Sequence, residues 1–151
     1  MSVIAVDQDI ESMLRRYRDR DIDLRQLRVW LGNESARVEA QIPRGQLQKL
    51  KRGSEAQGNG VIAQLLPACD YCLGIGSPEQ FVSRQEYQQY SQRRDVAVTN
   101  GVLAEIVPPP FDSEGQGAAG AATYYRCTRC HSIWVFVEPE RAENGSWDRV
   151  I

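Results

Sequence analysis

The chain has 151 residues, 42% of them hydrophobic and 25% charged, which suits one water-exposed globular domain with an ordinary buried core. Its formal net charge of −2 argues against a general nucleic-acid binder, which needs a surplus of Lys and Arg to neutralise phosphates. The opening "MSVIAVDQDIESML" has no basic start or apolar run of signal-peptide length, and no segment approaches the ~18 apolar residues of a membrane span, so a cytoplasmic protein without a membrane partner is expected.

Asp7 is placed to cap a short helix through "QDIESMLRRYRDR", where Ile10, Met13, Leu14 and Tyr17 recur at helical spacing. The runs "LRQLRVWL" and "ARVEAQI" alternate, with Leu27, Val29 and Leu31, then Val38, Ala40 and Ile42, on one face. The "GNES" between them supplies turn residues, so a β-hairpin is expected there. "PRGQLQKLKRG" reads as a short helix that turns Leu47 and Leu50 inward, "SEAQGNG" as a polar loop, and "VIAQLLP" as a buried strand running into Cys69.

Beyond "CDYCLGIG", a helix is expected over "SPEQFVSRQEYQQYSQRR". Ser77 would be its cap, Pro78 its first residue, and Glu79 a favourable charge at the positive end of the helix dipole. "DVAVTNGVLAEIV" places two apolar runs around Asn100-Gly101, a hairpin signal. The Pro-rich, then Gly/Ala-rich stretch at 108–122 predicts a flexible exposed loop. "TYYRCTRCHSIWVFVE" predicts two strands with a cysteine pair at their bend, "PERAENG" a turn, and "SWDRVI" a closing strand.

All four cysteines fall into two C-x-x-C pairs, Cys69/Cys72 and Cys127/Cys130. A tight turn of this spacing aims both thiolates at one ion, and two such turns fill the four-sulfur tetrahedral shell of structural zinc. In a reducing compartment, cysteines so paired indicate metal more often than disulfides. The segment between the pairs, Leu73 to Arg126, is longer than the roughly 15–20 residues of compact zinc ribbons, and an inserted helix and hairpin account for the difference.

"CTRCH" is also the attachment motif for covalent haem. Haem, however, wants a second axial ligand, often Met; Met1 and Met13 are poorly placed, His131 is the sole histidine, and the first cysteine pair would have no role. A thioredoxin-like dithiol sits at the start of a helix, whereas Cys127 and Cys130 are flanked by strand-like sequence and Cys69/Cys72 lead into Gly-rich "LGIGSP". Four packed, reduced thiols are the plain alternative. The zinc reading accounts for both pairs together and leaves His131 beside the knuckle rather than in the shell.

Nothing else carries catalytic machinery. One histidine cannot build a paired acid–base arrangement, and the chain has no G-x-S-x-G, P-loop or dinucleotide fingerprint. A full four-sulfur shell has no open position for substrate, so a non-enzymatic role is expected.

The closing stretch "YYRCTRCHSIWVFVEPERAENGSWDRV" resembles the end of certain zinc-knuckle immunity proteins of bacterial polymorphic toxin systems. There, a C-x-x-C turn is followed by a Trp, a Pro-acidic-x-Ala stretch and a Gly-aromatic close. The matching positions are Cys127, Cys130, Trp134, Pro139, Glu140, Ala142, Gly145 and Trp147, all in the last quarter of the chain; His131 stands where such knuckles usually carry Gly. The resemblance implies a small protein that binds and neutralises a cognate protein toxin domain. A zinc-ribbon nucleic-acid or transcription accessory protein is the competing expectation. It requires Arg15, Arg16, Arg18, Lys49, Lys51 and Arg52 to converge on one face.

Together these readings predict an α+β fold, mainly antiparallel sheet with a few helices, forming a single domain over 1–151. Its two knuckles bracket 69–130 and bind one structural Zn2+ through Cys69, Cys72, Cys127 and Cys130, joining a strand before Cys69 to the carboxyl-terminal hairpin.

Overall fold

The computed structural model describes residues 5–111 and 121–151. Among them the chain is α+β, with seven helices preceding or flanking a four-stranded antiparallel sheet. The backbone forms two compact units, Met1–Pro67 with Ile151, and Ala68–Val150. No helix among the described residues is long and apolar enough to cross a membrane.

Among the described residues, every regular element of the first unit is a helix. Asp7 caps α1 (Gln8–Arg18) as expected, accepting from the Ile10 amide at 2.9 Å, and Ile10, Leu14 and Tyr17 are buried. The expected hairpin after it is instead two helices, α2 (Leu24–Asn33) and α3 (Ser35–Gln41). Leu27 with Leu31, and Val38 with Ile42, are buried at i,i+4 spacing, while Val29 and Ala40 are exposed. The apolar period is therefore helical, and a capping box between Asp23 and Gln26 fixes where α2 starts.

α4 (Arg44–Arg52) forms as expected and buries Leu47 and Leu50. Arg28 of α2 donates to the carbonyls of Leu50 and Gly53 at 3.1 and 2.7 Å, placing a cation at the negative end of α4. The loop and buried strand expected at 54–67 are instead α5 (Glu55–Leu65), opened by a second capping box between Ser54 and Gln57. Among the described residues, no strand therefore precedes Cys69.

The second unit holds the sheet. α6 (Asp70–Leu73) is a single turn. The long helix begins later than expected: α7 spans Arg84–Thr99, with Ser83 rather than Ser77 as its cap. Glu79, at φ 65°, is in the left-handed region and cannot continue a helix. "DVAVT" completes α7, so Asn100-Gly101 caps a helix instead of turning a hairpin. Gly101 takes the left-handed conformation, φ 75°, that ends many helices.

Strands β1 (Leu103–Ile106), β2 (Ala122–Cys127), β3 (Ile133–Val137) and β4 (Ser146–Arg149) then pair in sequence order. The β2–β3 hairpin and closing strand match the sequence reading. Most of the loop expected at 108–122 lies outside the described residues, and its last residue, Ala122, already belongs to β2. Trp134, Phe136 and Trp147 are fully buried at the centre of this unit's core. The rings of Trp134 and Trp147 stack at 5.2 Å with 4° between their planes. The Trp147 indole donates to the Gly76 carbonyl at 3.1 Å, tying the last strand to the loop after the first cysteine pair.

Candidate metal centre

The two cysteine pairs sit on different local scaffolds. Cys127 ends β2 and Cys130 lies in the turn to β3, so the hairpin sets both sulfurs. That turn is closed by the His131 amide donating to the Cys127 carbonyl at 3.0 Å, and by the Cys127 amide donating to the Ser132 carbonyl at 2.9 Å. His131 completes the turn at φ 65°, a left-handed conformation that explains why glycine suits this position.

Cys69 and Cys72 are presented by α6, with Cys69 at its amino-terminal cap. The sequence reading placed this pair at the end of a strand, before a turn. A single helical turn delivers the same convergence of sulfurs, because residues three apart on a helix face the same way. The turn closes through the Leu73 amide donating to the Cys69 carbonyl at 3.1 Å and the Ile75 amide to the Cys72 carbonyl at 3.2 Å. Arg129 also spans the two turns, its guanidinium 3.6 Å from the centre of the Tyr71 ring.

All four cysteines meet. Their sulfurs lie within 4.8 Å of one another: Cys69 to Cys72 is 4.0 Å, Cys69 to Cys127 is 3.6 Å, and Cys72 to Cys130 is 3.6 Å. A regular tetrahedron of sulfurs about 2.3 Å from a central metal has edges of about 3.8 Å. The cluster therefore has the size of a four-thiolate metal shell. It is too wide for disulfides, and all four thiols are free. Cys72 and Cys127 are fully buried, and Cys69 and Cys130 are half-buried.

Four sulfurs this close cannot all ionise unless a cation joins them. The Cys72 and Cys130 sulfurs are in hydrogen-bond contact at 3.6 Å, and that contact, against burial and with help from Ser132 and the backbone of Cys69 and Ser132, lowers the Cys130 pKa to about 3. The same bond, then burial, pushes the Cys72 thiol up. Burial foremost does the same to Cys127. The site thus holds protons that a divalent cation would displace.

Two residues near the cluster carried no recognisable signal in the sequence. Ser132 is fully buried, with its hydroxyl oxygen 3.1 Å from the Cys130 sulfur. Arg149, on β4, lies within electrostatic reach of Cys130 and Cys72, although burial outweighs them and lowers its pKa. Only the β3–β4 register, which sets Arg149 opposite Trp134, brings it there. Among the described residues, no other group of His, Cys, Asp and Glu has metal-site geometry. The four cysteines can bind a metal ion. No family model, curated protein or solved structure matches the chain.

Proposed function

We propose that Cys69, Cys72, Cys127 and Cys130 hold one structural zinc ion, and that the protein is a non-enzymatic immunity protein that neutralises a cognate bacterial toxin. The sulfur tetrahedron carries the metal part of this reading. Thiolate-only tetrahedral shells select zinc or iron, and a shell completed by protein sulfur has no position for a reactive water. The ion would staple α6 to the β2–β3 hairpin, so its role is to hold a surface in shape.

Support for the toxin partner comes from the resemblance around Cys127–Trp147 and from the chain's small acidic excess. An acidic surface would complement the basic substrate groove of a nuclease toxin and speed association. The nucleic-acid reading loses ground on two residues. Arg18 is only 2% exposed, so it cannot join a cationic surface face. Arg15 stays on the surface, but Glu11 at 2.6 Å partly offsets its charge.

Co-expression tests the partner. With the toxin encoded by the neighbouring gene, the folded protein should restore growth and co-purify with the toxin. Continued killing in the presence of folded protein would count against the toxin reading.

A further inference from the structure

We propose that the groove between the first cysteine turn and the carboxyl-terminal half of α7 is a docking site for a protein segment that mixes acidic and apolar side chains. This rests on reading the chain as a binding protein, and does not depend on the partner being a toxin.

The groove has a volume of about 800 Å³ and lies wholly within the sheet-bearing unit. Its lining includes the apolar residues Ile75, Ala97 and Val102. Tyr71 and Val96 also line it while remaining 50% and 58% exposed. Large apolar groups left in water beside a rigid turn favour a partner that covers them.

Charge identifies that partner. Arg93 is the sole charged residue of the lining. It is held in place by its bond to the Ile75 carbonyl, 3.2 Å, and by the Tyr90 ring, 4.7 Å away. A second guanidinium, that of Arg129, is fixed over Tyr71. On α7, the neighbouring carboxylate of Asp95 is paired with Arg94 at 3.0 Å. The groove is thus locally cationic in a unit (Ala68–Val150) whose seven arginines face eleven carboxylates, a difference of four. Pre-positioned Arg and Tyr around an apolar centre have the composition of interface hot spots, and their fixed geometry lowers the entropy cost of binding. A single-stranded nucleic acid is the poorer occupant. Arg129 already covers a face of Tyr71 that would stack on a base.

The test is selection of random twelve-residue peptides, displayed on phage, against the purified full chain. The sequences enriched should combine Asp or Glu with Leu, Ile or Phe. Their binding should weaken at least tenfold in Val96→Asp and in Arg129→Glu, and remain unchanged in Val82→Asp, an 81% exposed site outside the groove. Metal content and melting temperature of each variant separate lost binding from lost fold. Because these positions are exposed, folded variants are expected. Enrichment of basic peptides, no enrichment, or acidic peptides retained by Val96→Asp would each overturn the proposal, as would preferential binding of single-stranded oligonucleotides at the groove. Failed growth rescue would bear on the toxin, and failed selection on the groove, so the two readings are separable.

Discussion

The sulfurs of Cys72 and Cys130 lie 3.6 Å apart although 58 positions separate them in the chain. Cys69 and Cys127 repeat the relationship at the same separation and distance. A single ion at the centre would therefore close a long loop of the sheet-bearing unit twice over. Metal binding and folding should be coupled in that unit.

Replacing one ligand tests the coupling. Cys72→Ser should lose the metal and destabilise the unit by several kcal/mol, a fraction of the ~10–16 kcal/mol that structural zinc contributes. Chelation of the wild-type protein should produce the same lowered melting temperature. Equal melting curves with and without chelator would count against the staple.

Metal affinity should depend on pH in a fixed direction. The Cys72 and Cys127 thiols have raised pKa values, so they bind protons at neutral pH that metal must displace. Affinity should therefore rise with pH until those thiols ionise unaided, and fall as acid restores the protons. Calorimetric titration in buffers of different ionisation enthalpy should detect proton release on zinc binding.

His131 offers a test of backbone strain. It holds φ 65°, where a side chain costs roughly 1–2 kcal/mol and glycine costs little. His131→Gly should leave stability unchanged or slightly higher, since glycine's extra freedom in the unfolded chain offsets part of the relief. His131→Val should lower stability by about 1 kcal/mol or more. Both variants should retain the metal, and loss of metal from His131→Gly would make the imidazole a ligand.

Gly145 should tolerate much less. It sits at φ 87°, and a Cβ there would collide with the Val137 carbonyl oxygen. Gly145→Ala should destabilise by more than about 1 kcal/mol. Trp147→Ala, which removes both the Trp134 stack and the bond to Gly76, should cost roughly 3–5 kcal/mol. Chemical denaturation followed by tryptophan fluorescence measures both.

In the helical unit, Asp7 links stability to acid. Its carboxylate accepts from Gln41 and from the Ile10 amide and lies near Arg37, which hold its pKa below the usual carboxylate range. The stability it contributes is present above the ordinary carboxylate pKa and is lost as pH falls through the depressed one. Asp7→Ala should therefore lower the melting temperature at pH 7, with the difference shrinking toward pH 2. A difference that persists at low pH would contradict the role given to ionised Asp7.

The cysteine cluster was readable from spacing because C-x-x-C turns constrain sulfur direction whatever scaffold presents them. The scaffold was less so. "VIAQLLP" is short and apolar, a pattern shared by buried strands and buried helix ends. Gly58 and Gly60 further lower the helix propensity of what proves to be α5. The signals that resolve α2 and α5 were present in Asp23-x-x-Gln26 and Ser54-x-x-Gln57, two capping boxes. Asn100-Gly101 misled for a similar reason, since the same dipeptide turns hairpins and ends helices. Ser77-Pro78-Glu79 and Ser83-x-x-Glu86 are both credible helix starts. Tertiary structure selects the second, because the Phe81 amide is committed to the Gly145 carbonyl at 3.0 Å. The groove beside α7 was not readable at all, because it is assembled from residues that the fold brings together from Tyr71 to Val102.

Metal content tests the central claim most directly. Protein purified under reducing conditions, without added metal, should contain close to one zinc ion per chain by elemental analysis. Its four thiols should resist thiol reagents until a chelator is added. A folded, reduced protein with no bound metal and four freely reactive thiols would contradict the account.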